Sequence, residues 1–96
     1  FGPLENDEKS VKWIVEKLVQ QWPKDIKLDM DNGVNPHEED HLRLNCIKAN
    51  SRLGWTPKLD LEQGIEWITE WYKQYEQNNN MREITEEQIG KFQKLL

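Results

Sequence analysis

Apolar residues recur at helical spacing over Val11, Ile14, Val15, Leu18, Val19 and Trp22, the repeat that gives a helix one buried stripe. Ser10 is placed to cap this first helix, and Pro23 ends it. Trp13 falls off the stripe and points toward a neighbouring layer. Ile26, Leu28 and Met30 then alternate with Lys27, Asp29 and Asp31, the period of a half-buried strand, and Asn32-Gly33 turns the chain. Residues 34 to 41 carry no periodicity and read as a loop. Leu42 and Leu44 flank Arg43 as a second brief strand. Asn45 can cap a helix running to about Leu53, with Cys46, Ala49 and Leu53 facing inward. Gly54 supplies its left-handed stop, and Trp55 and Pro57 fix the exit.

Asp60 and Gln63 stand at capping-box spacing before a long helix with Leu61, Ile65, Ile68, Tyr72 and Tyr75 on one face. Trp67 and Trp71 widen that face until it is broad enough to meet two surfaces. Asn78-Asn79-Asn80 ends the helix. Thr85 with Gln88, and Ile84 with Ile89, sit at the spacings of a capping box and a hydrophobic staple, so a last helix carrying Ile89, Phe92, Leu95 and Leu96 is predicted. The pattern gives one α+β domain over 1–96, mostly helical, with about four helices and two or three short strands. Its three long helices carry more aromatic and aliphatic surface than so small a piece can enclose. Self-association through Trp67, Trp71 or Phe92 is therefore expected.

The 96 residues carry a net charge of −5 and include five tryptophans. An acidic chain without a clustered basic face is unsuited to nucleic acid or an anionic membrane. Apolar runs are too short to span a bilayer, and Phe1-Gly2-Pro3 lacks the basic and apolar regions of a secretory signal. A lone cysteine, Cys46, cannot make an internal disulfide and fits a reducing compartment, so a cytoplasmic location is expected. Opening on Phe-Gly-Pro without an initiator Met, the chain reads as cut from something longer.

His37 and His41 lie four apart with Glu38, Glu39 and Asp40 between them, which would chelate a divalent metal only on a helix. Pro36 and the missing apolar stripe argue for a loop, and no metal is expected. A calcium loop starting at Asp29 fails because Gly33 takes a position that needs an oxygen ligand. Imidazoles and carboxylates suit the directional hydrogen bonds of sugar and ribose hydroxyls. Charged surface loops are equally rich in these groups, so composition leaves both readings open. The glycines form no phosphate-cradling turn. Tyr72 and Tyr75 have no Lys four residues on to lower a phenol pKa, and both fall on the stripe taken to be buried. No Gly-x-Ser-x-Gly elbow is present, and Cys46 sits on an inward helix face without a base beside it.

A set of motifs in fixed order gives a more specific reading. They are Phe1-Gly2-Pro3, Val11-x-x-Ile14-Val15, Pro36-His37-Glu38, Leu42-x-Leu44-Asn45-Cys46-x-Lys48-Ala49, Leu53-Gly54-Trp55-x-Pro57 and Trp71-Tyr72. This order resembles the carboxyl-terminal, substrate-binding lobe of extended short-chain dehydrogenase/reductases that act on nucleotide sugars, without their dinucleotide domain. The resemblance implies that Glu38, with His37 beside it, hydrogen-bonds the ribose or base of a nucleotide sugar such as CDP-glucose. Asn35 stands where relatives carry a diphosphate-binding Arg, and His41 or Arg43 would take over that contact. Lys48, Gly54, Trp55 and Pro57 are assigned to packing and the helix stop. In the intact enzyme the resemblance implies NAD and 4,6-dehydration to a 4-keto-6-deoxy sugar. The contrasting reading is a non-catalytic interaction module built on the tryptophan-rich faces.

The 96-residue chain, lacking both the phosphate-cradling turn and the acid/base pair, is predicted to bind no NAD and turn over no CDP-glucose. Equilibrium dialysis and a coupled assay check this, and measurable turnover would contradict it.

Overall fold

A computed structural model describes residues 1–27, 29 and 43–96. A 3₁₀ turn at Glu5–Asp7 precedes four helices: α1 Val11–Gln21, α2 Ile47–Leu53, α3 Leu61–Glu76 and α4 Met81–Gln93. Each helix end has an identifiable cause. Ser10 Oγ accepts the Trp13 N–H at 3.2 Å to start α1. The Trp22 N–H closes that helix on Leu18 O at 3.0 Å, just before Pro23. Gly54 leaves α2 at φ +63, a left-handed conformation that Gly adopts at no steric cost. At α3 both halves of the capping box form: Gln63 N–H donates to Asp60 Oδ1 at 2.7 Å, and Asp60 N–H to Gln63 Oε1 at 3.0 Å.

α3 joins the helices together, with α1 along one side and α4 along the other. The α1 side is held by Lys17 Nζ to Glu62 Oε1 at 3.1 Å and by the Trp22 and Tyr72 rings, 6.2 Å apart. The α4 side is held by hydrogen bonds at the helix seam. Gln88 Nε2 donates to Trp67 O at 2.8 Å, and Trp71 Nε1 donates to Thr85 Oγ1 at 3.0 Å. Among the described residues only Ile65 and Thr69 are buried. The Thr69 hydroxyl is satisfied by donating to Ile65 O at 2.8 Å.

Several expectations need correction. The fold is four helices with no strand among the described residues, rather than α+β with two or three strands. Leu28, Met30 and Leu42 lie outside the described residues, while Ile26, Lys27, Asp29, Arg43 and Leu44 are not in strands. Leu44 lies against Gly2, yet a ladder there lacks donors: Pro3 has no N–H, and the Gly2 N–H is taken by Cys46 Sγ at 3.1 Å. Leu53 is 72% exposed rather than inward-facing, and Ile68, Tyr72 and Tyr75 are also exposed. Helix α4 begins at Met81, four residues before the capping pair expected at Thr85. Asn78 takes φ +58, and Asn80 Oδ1 accepts from the Arg82 and Glu83 N–H groups. Short amide side chains tolerate the left-handed turn and reach nearby backbone, so the Asn run ends α3 and starts α4. Thr85, now inside the helix, turns its hydroxyl to Met81 O. Among the described residues no helix is long and apolar enough to cross a membrane.

With so few buried side chains, Ile65→Ala should cost about 2–5 kcal/mol, most of the stability of a domain this small. Urea unfolding followed by tryptophan fluorescence measures it; an unchanged midpoint would contradict the assignment of Ile65 to the core.

Candidate functional site

The segments 1–8 and 43–57 enclose a cleft of about 450 Å³. One wall is tied to α3 by a long-range bond: Asp7 Oδ2 accepts the Leu61 N–H at 2.7 Å across 54 residues of sequence. A free N–H at a helix N-terminus carries partial positive charge, so a carboxylate there is favoured both as cap and as counter-charge. The 3₁₀ turn that presents Asp7 also carries Glu5, and Glu8 follows at its end. Both line the cleft. Opposite them, Asn45 Oδ1 accepts the Ile47 N–H at 2.9 Å. The N-cap residue of α2 is nevertheless Cys46 rather than the expected Asn45, which stands one residue outside the helix. Asn50 Nδ2 donates to Trp55 O at 3.3 Å, and Phe1 meets the Trp55 indole edge-on at 4.9 Å.

Arg43 Nε lies 3.0 Å from Glu8 Oε2, with the Arg side chain 59% exposed and that of Glu8 18% exposed. Glu8 Oε2 is nevertheless an acceptor with no hydrogen-bond donor aimed at it among the described residues. Charge proximity and hydrogen-bond alignment differ here. The contact is a charge pair in which this Glu8 oxygen is shielded from solvent. The cleft lining combines the Glu8 carboxylate, a guanidinium, the Asn45 amide and an indole, residue types that match hydroxyl-bearing ligands.

Of the residues singled out from sequence, Asn35, His37, Glu38 and His41 lie outside the described residues. Arg43 is brought to the cleft, but its charge stands against Glu8 instead of free for a diphosphate. Glu5, Glu8 and Asp7 were missed. Only the Phe1-Gly2-Pro3 motif marked this end of the chain, and a contact 54 residues long leaves no local pattern. Cys46 Sγ is engaged by Gly2 and has no base beside it among the described residues. NAD does not fit the described residues. Gly54 stands at the end of a helix, and Gly64 and Gly90 lie inside helices, so none forms the strand-to-helix turn that pyrophosphate requires.

No family model matches the chain. It is 35% identical over 92 residues to the CDP-glucose 4,6-dehydratase of Salmonella typhimurium, a match covering 96% of this chain and 26% of that protein. It is also 31% identical over 68 residues to the dTDP-glucose 4,6-dehydratase of Haemophilus influenzae, covering 67% of this chain and 20% of that protein. The chain is thus similar to a stretch of two nucleotide-sugar 4,6-dehydratases. It spans about a quarter of the length of the first relative and a fifth of the second.

A methyl group added at Gly2 would come within 2.9 Å of Leu44 Cδ1 and 3.1 Å of Leu44 Cβ. Gly2→Ala should therefore push the two walls of the cleft apart, costing about 1–3 kcal/mol. A thermal melt with Trp55 fluorescence tests this, and an unaltered transition would show that the walls do not touch in solution.

Proposed function

We propose that the chain is the substrate-binding part of a CDP-glucose 4,6-dehydratase-like enzyme, inert by itself. The observation that carries this reading is the likeness to a CDP-glucose 4,6-dehydratase across 96% of the chain. The polar cleft beside Arg43 supports it. In this reading Glu8 and Asn45 hydrogen-bond hydroxyls, the Trp55 ring offers an apolar surface to a sugar or base, and Asn35, His37, Glu38 and His41 complete the nucleotide contacts. The hydride chemistry, with NAD and an amino-terminal dinucleotide domain, belongs to a longer polypeptide in the cytoplasm. Nothing in the described residues performs it. These side chains bind and orient; none moves a proton at the reacting carbons.

Titrating the 15N-labelled chain with CDP-glucose should shift the amides of Glu8, Arg43, Asn45 and the Trp55 indole. The absence of any shift at about 5 mM, enough to fill a millimolar site, would contradict the reading. In a full-length enzyme, Glu38→Ala and His37→Ala should raise KM by the loss of roughly 1.5–3 kcal/mol each, because nucleotide contacts are equal in the ground and transition states. A fall in kcat at unchanged KM would instead give them a chemical role.

A further inference from the structure

The cleft between the opening segment and α2 carries an uneven charge. Among the described residues that line it, two carboxylates, Glu5 and Glu8, accompany one cation, Arg43. Asn45 and Trp55, also in the lining, are uncharged. Arg43 Nε sits 3.0 Å from Glu8 Oε2, and the two partners differ in exposure, 59% for the Arg side chain against 18% for that of Glu8. The carboxylate is the fixed member of this pair. It follows Asp7, whose side chain takes the Leu61 N–H at 2.7 Å, so its backbone is held one residue from an anchored point. A carboxylate shielded in this way recovers little hydration from bulk water. Taking the guanidinium away from it would leave an uncompensated charge in the cleft wall, which is costly.

We propose that Glu8 sets the specificity of this cleft: by holding Arg43 it admits the uncharged, hydroxyl-bearing part of a ligand and keeps phosphate out. The inference rests on the reading of the cleft as a ligand site. An arginine grips phosphate through two parallel N–H donors of its planar fork, and here Nε, one of those donors, is turned to Glu8. A phosphate entering the cleft has to displace the Glu8 carboxylate, deprive it of its partner and approach Glu5 as well. Away from bulk water such like-charge encounters are poorly screened. A hydroxyl meets none of these costs. The Asn45 side chain has its Oδ1 engaged by the Ile47 N–H, which leaves the Nδ2 group to donate to a hydroxyl oxygen. A flat ring can lie against the Trp55 indole. At about 450 Å³ the cleft has room for a phosphate group or for a sugar ring, so charge rather than space sorts them.

Inorganic pyrophosphate titrated into the 15N-labelled chain tests this, read at the Arg43 and Asn45 amides and the Trp55 indole. The wild-type chain should show no saturable shift at those positions up to about 20 mM, a level that fills a millimolar site. Glu8→Gln keeps the shape of the side chain and removes its charge. That variant should bind pyrophosphate at the same positions with a Kd at least tenfold below the wild-type limit, and adding Arg43→Gln to it should abolish the gain. Wild-type binding as tight as that of Glu8→Gln overturns the proposal, and so does a folded Glu8→Gln that gains nothing. Should Glu8→Gln fail to fold, two sugars decide on the wild-type chain. Methyl α-D-glucopyranoside at about 100 mM should shift Asn45 and the Trp55 indole, and glucose 1-phosphate should act there at least several-fold more weakly. Equal shifts from both, or none from either, overturn the proposal. Failure of CDP-glucose to bind is a separate result: it ends the reading of the substrate, whereas the pyrophosphate comparison reports only the charge of the cleft.

Discussion

The N-terminus of α3 is the point on which the described structure depends. Its exposed N–H groups receive two carboxylates of different origin. Asp60 arrives from the preceding residue and closes the capping box, while Asp7 arrives from the opening of the chain to take the Leu61 N–H at 2.7 Å. The first bond makes the helix start where it does. The second helps to place residues 1–8, and so the side chains that face Arg43 and Asn45. A capping interaction is worth only about 1 kcal/mol, and it acts together with the Gly2–Cys46, Phe1–Trp55 and Glu8–Arg43 contacts that hold the same segment.

This economy of burial also explains which parts could be read in advance. Ser10, Gly54 and the Asp60–Gln63 box act through partners within four residues, and each caps or stops its helix where the local pattern put it. The amphipathic stripe of α3 predicted a helix correctly but overstated its burial. Periodicity reports which residues share a face, not whether a neighbour covers that face. The expected strands failed for a related reason. Alternation at Leu42-Arg43-Leu44 describes one extended segment, but a strand needs backbone donors from another, and Pro3 with the thiol-bound Gly2 withholds them. At the last helix, the Thr85–Gln88 spacing was outcompeted by Asn80, five residues earlier and bonded to two N–H groups.

The cleft was legible only through order and resemblance. Phe1-Gly2-Pro3 and Leu42 to Ala49 are far apart in sequence, and nothing local says that they meet. Glu8 was invisible for the same reason, although it supplies the shielded carboxylate beside Arg43. The Gly2–Cys46 and Phe1–Trp55 contacts pair these segments, and α3 anchors one wall through Asp7. The same helix presents a polar face, an aromatic groove and two helix seams.

The claim that the Asp7 carboxylate positions the cleft wall is tested most directly by comparing amide spectra of the wild-type chain and Asp7→Asn. If the bond to Leu61 fixes residues 1–8, the substitution should perturb Leu61 and also Gly2, Glu8, Arg43 and the Trp55 indole, while α4 stays unchanged. Perturbation confined to Leu61 and its immediate neighbours, with Arg43 and Trp55 unmoved, would contradict the account.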